Sequence, residues 1–141
     1  PDLDLGGEAG AAIQAAGRLW GVAGLLRAFA PLVQAGRPPY SADELAGADM
    51  SEADLRAGRK PEVARAALSG LITEAQEAAG MLSRTRSALP AEVFPAVGYA
   101  SLARGYLKSA QGLGDPFREQ IARGPLGQNA RLTWASLTGR V

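Results

Sequence analysis

From about Gly7 to Ala30 the chain reads as one long helix whose large apolar residues fall on every side of the helical wheel. They are Ile13, Leu19, Trp20, Val22, Leu25, Leu26 and Phe29. A helix that is apolar all round has to be surrounded, so it belongs at the centre of a helical bundle. The most apolar stretch, Leu19 to Val33, carries Arg27 at its middle and Pro31 near its end. It is also shorter than the roughly 20 residues of a membrane span, and a buried helix is the expectation. Composition agrees with a helical protein. Ala (29) and Leu (18) far outnumber Ile, Val and Thr together (13). Ala and Leu lose little freedom in a helix, whereas β-branched side chains lose χ1 freedom. A length of 141 residues with 47% hydrophobic and 21% charged content suits a single folded domain over 1–141.

Helix signals continue along the chain. Pro31 and the Gly36-Arg37-Pro38-Pro39 turn are expected to end the first helix. Ser41 with Glu44, and Ser51 with Asp54, have capping-box spacing and predict two short helical turns. Gly47 and the Ala57-Gly58-Arg59-Lys60 stretch read as loop between and after them. A long helix starts at Pro61, suited to a first helical position, and runs to about Ala88. Ala64, Leu68, Leu71, Ala75, Ala78 and Leu82 recur at steps of three and four and form its buried stripe. Glu62, Arg65, Glu77 and Arg84 suit its wet side. Pro90 breaks the chain, and a further helix is expected from about Ala91 to Gly112, with Tyr99, Leu102, Tyr106 and Ala110 on one face. Asp115-Pro116 predicts the cap of a short helix ending at Gly124. The last helix, about Gly127 to Leu137, is expected to bury Leu126, Trp134 and Leu137. No segment alternates like a strand. The fold class is all-α.

Much chemistry is excluded by what is missing. Without Cys there is no disulfide, thiolate metal site or cysteine nucleophile, and without His no imidazole base or ligand. A formal charge of +1 gives no global field for nucleic acid. The acidic first residues, Pro1-Asp2-Leu3-Asp4, do not resemble a signal peptide, and a start on Pro without Met leaves open what precedes it. No phosphate-cradling glycine run precedes Lys-Ser or Lys-Thr. Gly17-x-x-x-Gly21, extended by Gly24, reads as a small-residue face for close helix packing. From Ala9 to Ala42 there is no Asp or Glu, so the first helix offers no carboxylate to a divalent cation.

That last absence bears on a resemblance. Leu25-Leu26-Arg27, the Gly36-Arg37 turn, Asp43-Glu44-Leu45, Ser51-Glu52-Ala53-Asp54-Leu55 and Ala57-Gly58-Arg59 resemble, in order and spacing, the second metal-binding helix of the squalene and phytoene synthases together with the next segment of those enzymes. In those head-to-head prenyl synthases the helix reads Gln-x-x-Asn-Ile-Leu-Arg-Asp-x-x-x-Asp. Here the Asn position is Gly24, the first Asp Ala28 and the second Leu32. The enzymes' residues stack at steps of four and hold Mg²⁺ against a substrate diphosphate; this chain keeps the spacing without the oxygens. Tyr40-Ser41 also stands where the enzymes have Leu-Pro. The chain is more similar still to a catalytically silent branch that includes a mitochondrial respiratory complex I assembly factor. Leu26-Arg27-Ala28, Phe94-Pro95-Ala96 and Leu107-Lys108 with Gln111 carry that likeness, which spans about Ala12 to Leu137.

The resemblance implies an all-α bundle of the terpenoid synthase type, represented by its C-terminal half. It implies a non-catalytic binding or assembly module, in respiratory-complex assembly at the inner, cytoplasmic face of a membrane, with no cofactor. The alternatives are a head-to-head transferase of farnesyl or geranylgeranyl diphosphates, which would need Mg²⁺, and a lipid or prenyl carrier. Arg27, Tyr99, Leu102 and Tyr106 are the candidate cavity lining. Against this stand plainer roles: a structural Arg27, core tyrosines, Arg104 and Lys108 on a solvated edge and not on anionic headgroups, and Glu74 and Glu77 as surface charges. Arg18 and Arg27, nine residues apart, lie half a turn from each other. A first helix apolar all round also predicts contact with a protein partner or a second copy through that helix.

Overall fold

The computed structural model describes residues 6–38, 40–112, 114–117 and 125–138. Its elements are α1 (Gly7–Gln34), α2 (Ala42–Gly47), α3 (Glu52–Arg56), α4 (Pro61–Thr85), a 3₁₀ turn (Arg86–Ala88), a second (Ala91–Val93), α5 (Phe94–Val97), α6 (Ala100–Gln111) and α7 (Pro125–Thr138). Among the described residues there is no strand.

α1 is central. It packs chiefly against α4 and next against α6, and also meets α3 and α5. Leu19, Val22, Leu26 and Phe29 are buried on it, while Ile13 and Trp20 pack at the margin of the core. Opposite them, α4 presents the stripe expected from its periodicity: Ala64, Leu68, Ala75, Ala78 and Leu82 are buried and Leu71 partly so. The alanines let the two long helices approach while the leucines fill the gaps. On the outside, Arg18 of α1 donates to Glu74 of α4 at 2.7 Å, an exposed pair that adds little stability.

The helix ends depart from expectation where proline and glycine act through packing. α1 does not stop before Pro31 but runs on to Gln34. A proline inside a helix costs about 3 kcal/mol, and burial of Val33, 2% exposed, offsets much of that. The chain leaves α1 at Gly36, whose φ of +70° favours glycine. The helix expected from Ala91 to Gly112 is divided into a 3₁₀ turn, α5 and α6. Pro95 sits in the first turn of α5, the place proline tolerates. Gly98 then lies so near Phe94 that an added Cβ would come within 3.1 Å of its ring and carbonyl. Thr85 likewise ends α4, and its expected last turn is 3₁₀.

α7 overturns the expected burial of its apolar residues. Trp134 is 64% and Leu137 78% exposed, while Ala135 is buried and Leu132 packs against the core. The helix turns its small residue inward because Arg131 anchors it, donating from Nε to the Ser101 carbonyl of α6 at 2.7 Å. The Leu126 side chain and the rest of the short helix expected to end at Gly124 lie outside the described residues. Its start is described: Asp115 Oδ1 accepts from the Phe117 amide at 2.9 Å.

Both capping boxes form. The Glu44 carboxylate accepts from the Ser41 amide at 2.7 Å and from its hydroxyl at 2.8 Å. Asp54 accepts from the Ser51 hydroxyl at 2.7 Å and from Arg59 Nε at 2.8 Å. The caps present Leu45 and Leu55, both buried, as plugs at one end of the core. The Ser41 amide and hydroxyl hold the Glu44 carboxyl below its ordinary range, and the Ser51 hydroxyl with Arg59 does so for Asp54. A carboxyl depressed on folding stabilises above its unfolded pKa and loses that contribution as pH falls through the folded one. Urea midpoints are therefore expected to be flat from pH 7 to about 5 and to fall below about pH 4. Asp54→Asn should lower the plateau and flatten the acid loss; an unchanged acid limb in that variant would show that other carboxyls control it.

Candidate functional site

Among the described residues the face of α1 that carries Gly17, Gly21, Gly24, Ala28 and Leu32 is only partly covered. Gly17 and Gly21 are exposed, and Gly24, Ala28 and Leu32 are half-buried. A Cβ added at Gly17, Gly21 or Gly24 would meet nothing within 4 Å. The small residues were expected to bring another helix close; among the described residues no helix fills that place. Steps of four put Gly24, Ala28 and Leu32 in one row. The row offers no side-chain oxygen, and α1 holds no acid beyond Glu8.

An aromatic row borders this face. The Trp20 ring lies 5.7 Å from that of Tyr99 and 6.4 Å from that of Tyr106. Arg27 stacks on the other partner of Trp20: its guanidinium carbon is 5.4 Å from the Tyr106 ring centroid. Such a cation–π contact is worth roughly 0.5–1 kcal/mol at an exposed site. Arg27 thus takes an aromatic face, where a carboxylate or a helix-end carbonyl is the commoner partner, while Arg18, half a turn round, takes Glu74. Tyr106 is 2% exposed, and its hydroxyl is buried without a hydrogen-bond partner among the described residues. That group normally finds a partner when buried.

Of the expected lining, Arg27, Tyr99 and Tyr106 come together, with Tyr99 51% exposed at the start of α6. Leu102, 3% exposed, belongs to the core, and so does Tyr106 at 2%. Trp20 joins Tyr99 to Tyr106, and in the sequence it reads only as an apolar helix residue. A signal for it exists there: Trp20, Gly24, Arg27 and Ala28 share one helical face. Glu74 is engaged by Arg18 and Glu77 is exposed on the same side of α4, as surface charges are.

A magnesium ion does not fit the α1 face. It takes near-octahedral oxygen donors, commonly including one or two carboxylates, and Gly24, Ala28 and Leu32 supply none. Among the described residues no group of three acidic side chains is placed to hold a metal ion. No helix among them is long and apolar enough to cross a membrane.

The comparisons with known proteins agree with the fold. The chain belongs to the squalene/phytoene synthase family, whose model matches residues 5–134. No curated protein and no solved structure gives a significant match. The all-α bundle is consistent with the terpenoid synthase type that this membership implies.

Proposed function

We propose that this chain is a non-catalytic squalene/phytoene synthase-like domain that works as a binding or assembly module. One observation carries the reading: the row on α1 keeps the helical spacing of a metal-binding helix and has Gly24, Ala28 and Leu32 where oxygen ligands would be needed. A partly covered face of glycines beside exposed Leu25, 40% accessible, suits contact with a helix of a protein partner or of a second copy. The likeness to the silent branch supports a role in respiratory-complex assembly, at the inner face of the membrane. A second reading, a carrier for a prenyl or lipid chain, is favoured by the row of Trp20, Tyr99 and Tyr106 and by a Tyr106 hydroxyl with no hydrogen-bond partner among the described residues.

Calorimetry with a non-hydrolysable farnesyl diphosphate analogue, with and without Mg²⁺, tests both. No Mg²⁺-dependent heat is expected. A Mg²⁺-independent signal lost on Trp20→Ala would support the carrier, and a clear Mg²⁺-dependent one would overturn the non-catalytic reading in favour of the transferase.

A further inference from the structure

Away from the α1 face, three arginines from three elements come together. Arg104 of α6 donates from Nη2 to the Ser83 hydroxyl at 2.7 Å, and the same nitrogen is 3.5 Å from the Ala79 carbonyl, which sets its guanidinium against the last turns of α4. Arg86 lies one helical turn beyond Ser83. Arg131 of α7 holds the Ser101 carbonyl at 2.7 Å, one turn before Arg104 on α6. These contacts set the Arg104 and Arg131 guanidiniums near Arg86, which repels Arg104 as Arg131 does.

Among the described residues no carboxylate forms an ion pair with them. The ion pairs among the described residues use Arg18, Arg56, Arg59 and Lys60. In the sequence, Glu92 is the sole acid between Ala78 and Gly114, and α7 has none. Arg104 Nε is buried with no hydrogen-bond partner among the described residues. Burial, and then repulsion from Arg86 and Arg131, lowers the Arg104 pKa. Buried unpaired charge is costly, and like charges held together add to that cost. A cleft of about 420 Å³ opens beside this corner, with Arg86 and Ser136 on its wall and Leu89, Pro90, Phe94 and Val97 among its apolar lining.

We propose that this cleft is an anion site for a phosphate monoester with an apolar body, Arg86 and Ser136 touching the phosphate and Arg104 and Arg131 supplying the field. The phosphate dianion matches the charge better than a carboxylate does, because it answers two guanidiniums at once. The apolar wall then receives whatever the phosphate is attached to. No residue of α1 lines the cleft, so this inference stands or falls apart from the proposed function.

The test is calorimetric titration of the full chain at low salt with phenyl phosphate, and with inorganic phosphate for comparison. Saturable binding of phenyl phosphate, tighter than that of inorganic phosphate, is expected. Arg86→Gln should weaken it about tenfold with an unchanged circular dichroism spectrum, and Arg131→Gln should weaken it by a smaller factor. In phosphate-free buffer Arg86→Gln should melt no lower than the native chain, because it relieves repulsion. Arg84→Gln, on the exposed side of α4, is the control for general charge. Co-sedimentation with phosphatidic acid vesicles that phenyl phosphate reverses would assign the natural source to a lipid headgroup; phenyl phosphate binding without co-sedimentation would assign it to a soluble ester. Absence of saturable phenyl phosphate binding, or equal losses in the Arg84 and Arg86 variants, would overturn the proposal.

Discussion

Phe29→Ala is expected to destabilise the chain by about 3–5 kcal/mol, whereas Leu25→Ala, one turn earlier on α1, should cost less than about 1 kcal/mol. Phe29 is 2% exposed and Leu25 40%. The Phe29 ring meets Tyr40 edge-on with centroids 6.0 Å apart and Phe117 at 5.7 Å. Removing it therefore opens a cavity where α1 meets two loops, beside a Tyr40 hydroxyl that is buried without a partner among the described residues. Against a typical total stability of about 5–15 kcal/mol, that is a large share, readable as a shift in urea midpoint. Charge makes the contrast sharper. Phe29→Glu buries an unpaired carboxylate and should unfold the chain, while Leu25→Glu should leave it folded and abolish any association through the open α1 face. Light scattering with circular dichroism separates the two outcomes; Leu25→Glu unfolding the chain would mean that this face belongs to its own core.

The parts of the fold legible in the sequence are those set by local chemistry. The α4 stripe comes from helical spacing, and the two capping boxes come from Ser-x-x-acid spacing, because both are decided within a few residues. The parts that escape it are decided by distant packing. Pro31 reads as a helix end until Val33 is seen to be buried beyond it. The division of α5 from α6 depends on the Phe94 ring folding back over Gly98. Trp134 and Leu137 look like core on any apolar scale, yet the anchor of Arg131 on Ser101 rotates α7 so that Ala135 points inward.

The site divides in the same way. The missing oxygens of α1 are visible as residue types at fixed spacing, and Arg27 and Tyr106 can be named because each stands out on its own helix. Their contact cannot, since α1 and α6 are joined only in three dimensions. The arginine corner is less legible still. Arg104 alone reads as a solvated edge, and only the packing of α6 against α4 and α7, with Arg104 on the Ser83 hydroxyl and Arg131 on the Ser101 carbonyl, brings Arg86 and Arg131 near it.

Restoring the α1 ligands is the second large effect expected. Ala28→Asp with Leu32→Asp places two carboxylates one turn apart on a face that is half-buried and open. Gly24→Asn completes the row, and an added Cβ there meets nothing within 4 Å. Two carboxylates four residues apart repel, at a cost of roughly 0.2–0.5 kcal/mol in a helix, while replacing Gly24 recovers up to a similar amount of helix propensity. The triple variant should therefore fold, lose a little stability without metal and regain it in Mg²⁺, since the ion neutralises the pair. Its affinity for a prenyl diphosphate analogue should become Mg²⁺-dependent and rise about tenfold, equivalent to ~1.4 kcal/mol. Calorimetry and melting curves with and without Mg²⁺ read both effects. If the variant folds but Mg²⁺ changes neither its melting nor its affinity, the α1 row is not a metal-binding face stripped of its ligands. If instead it unfolds, the row is core, because an apolar interior would not accept two unpaired carboxylates.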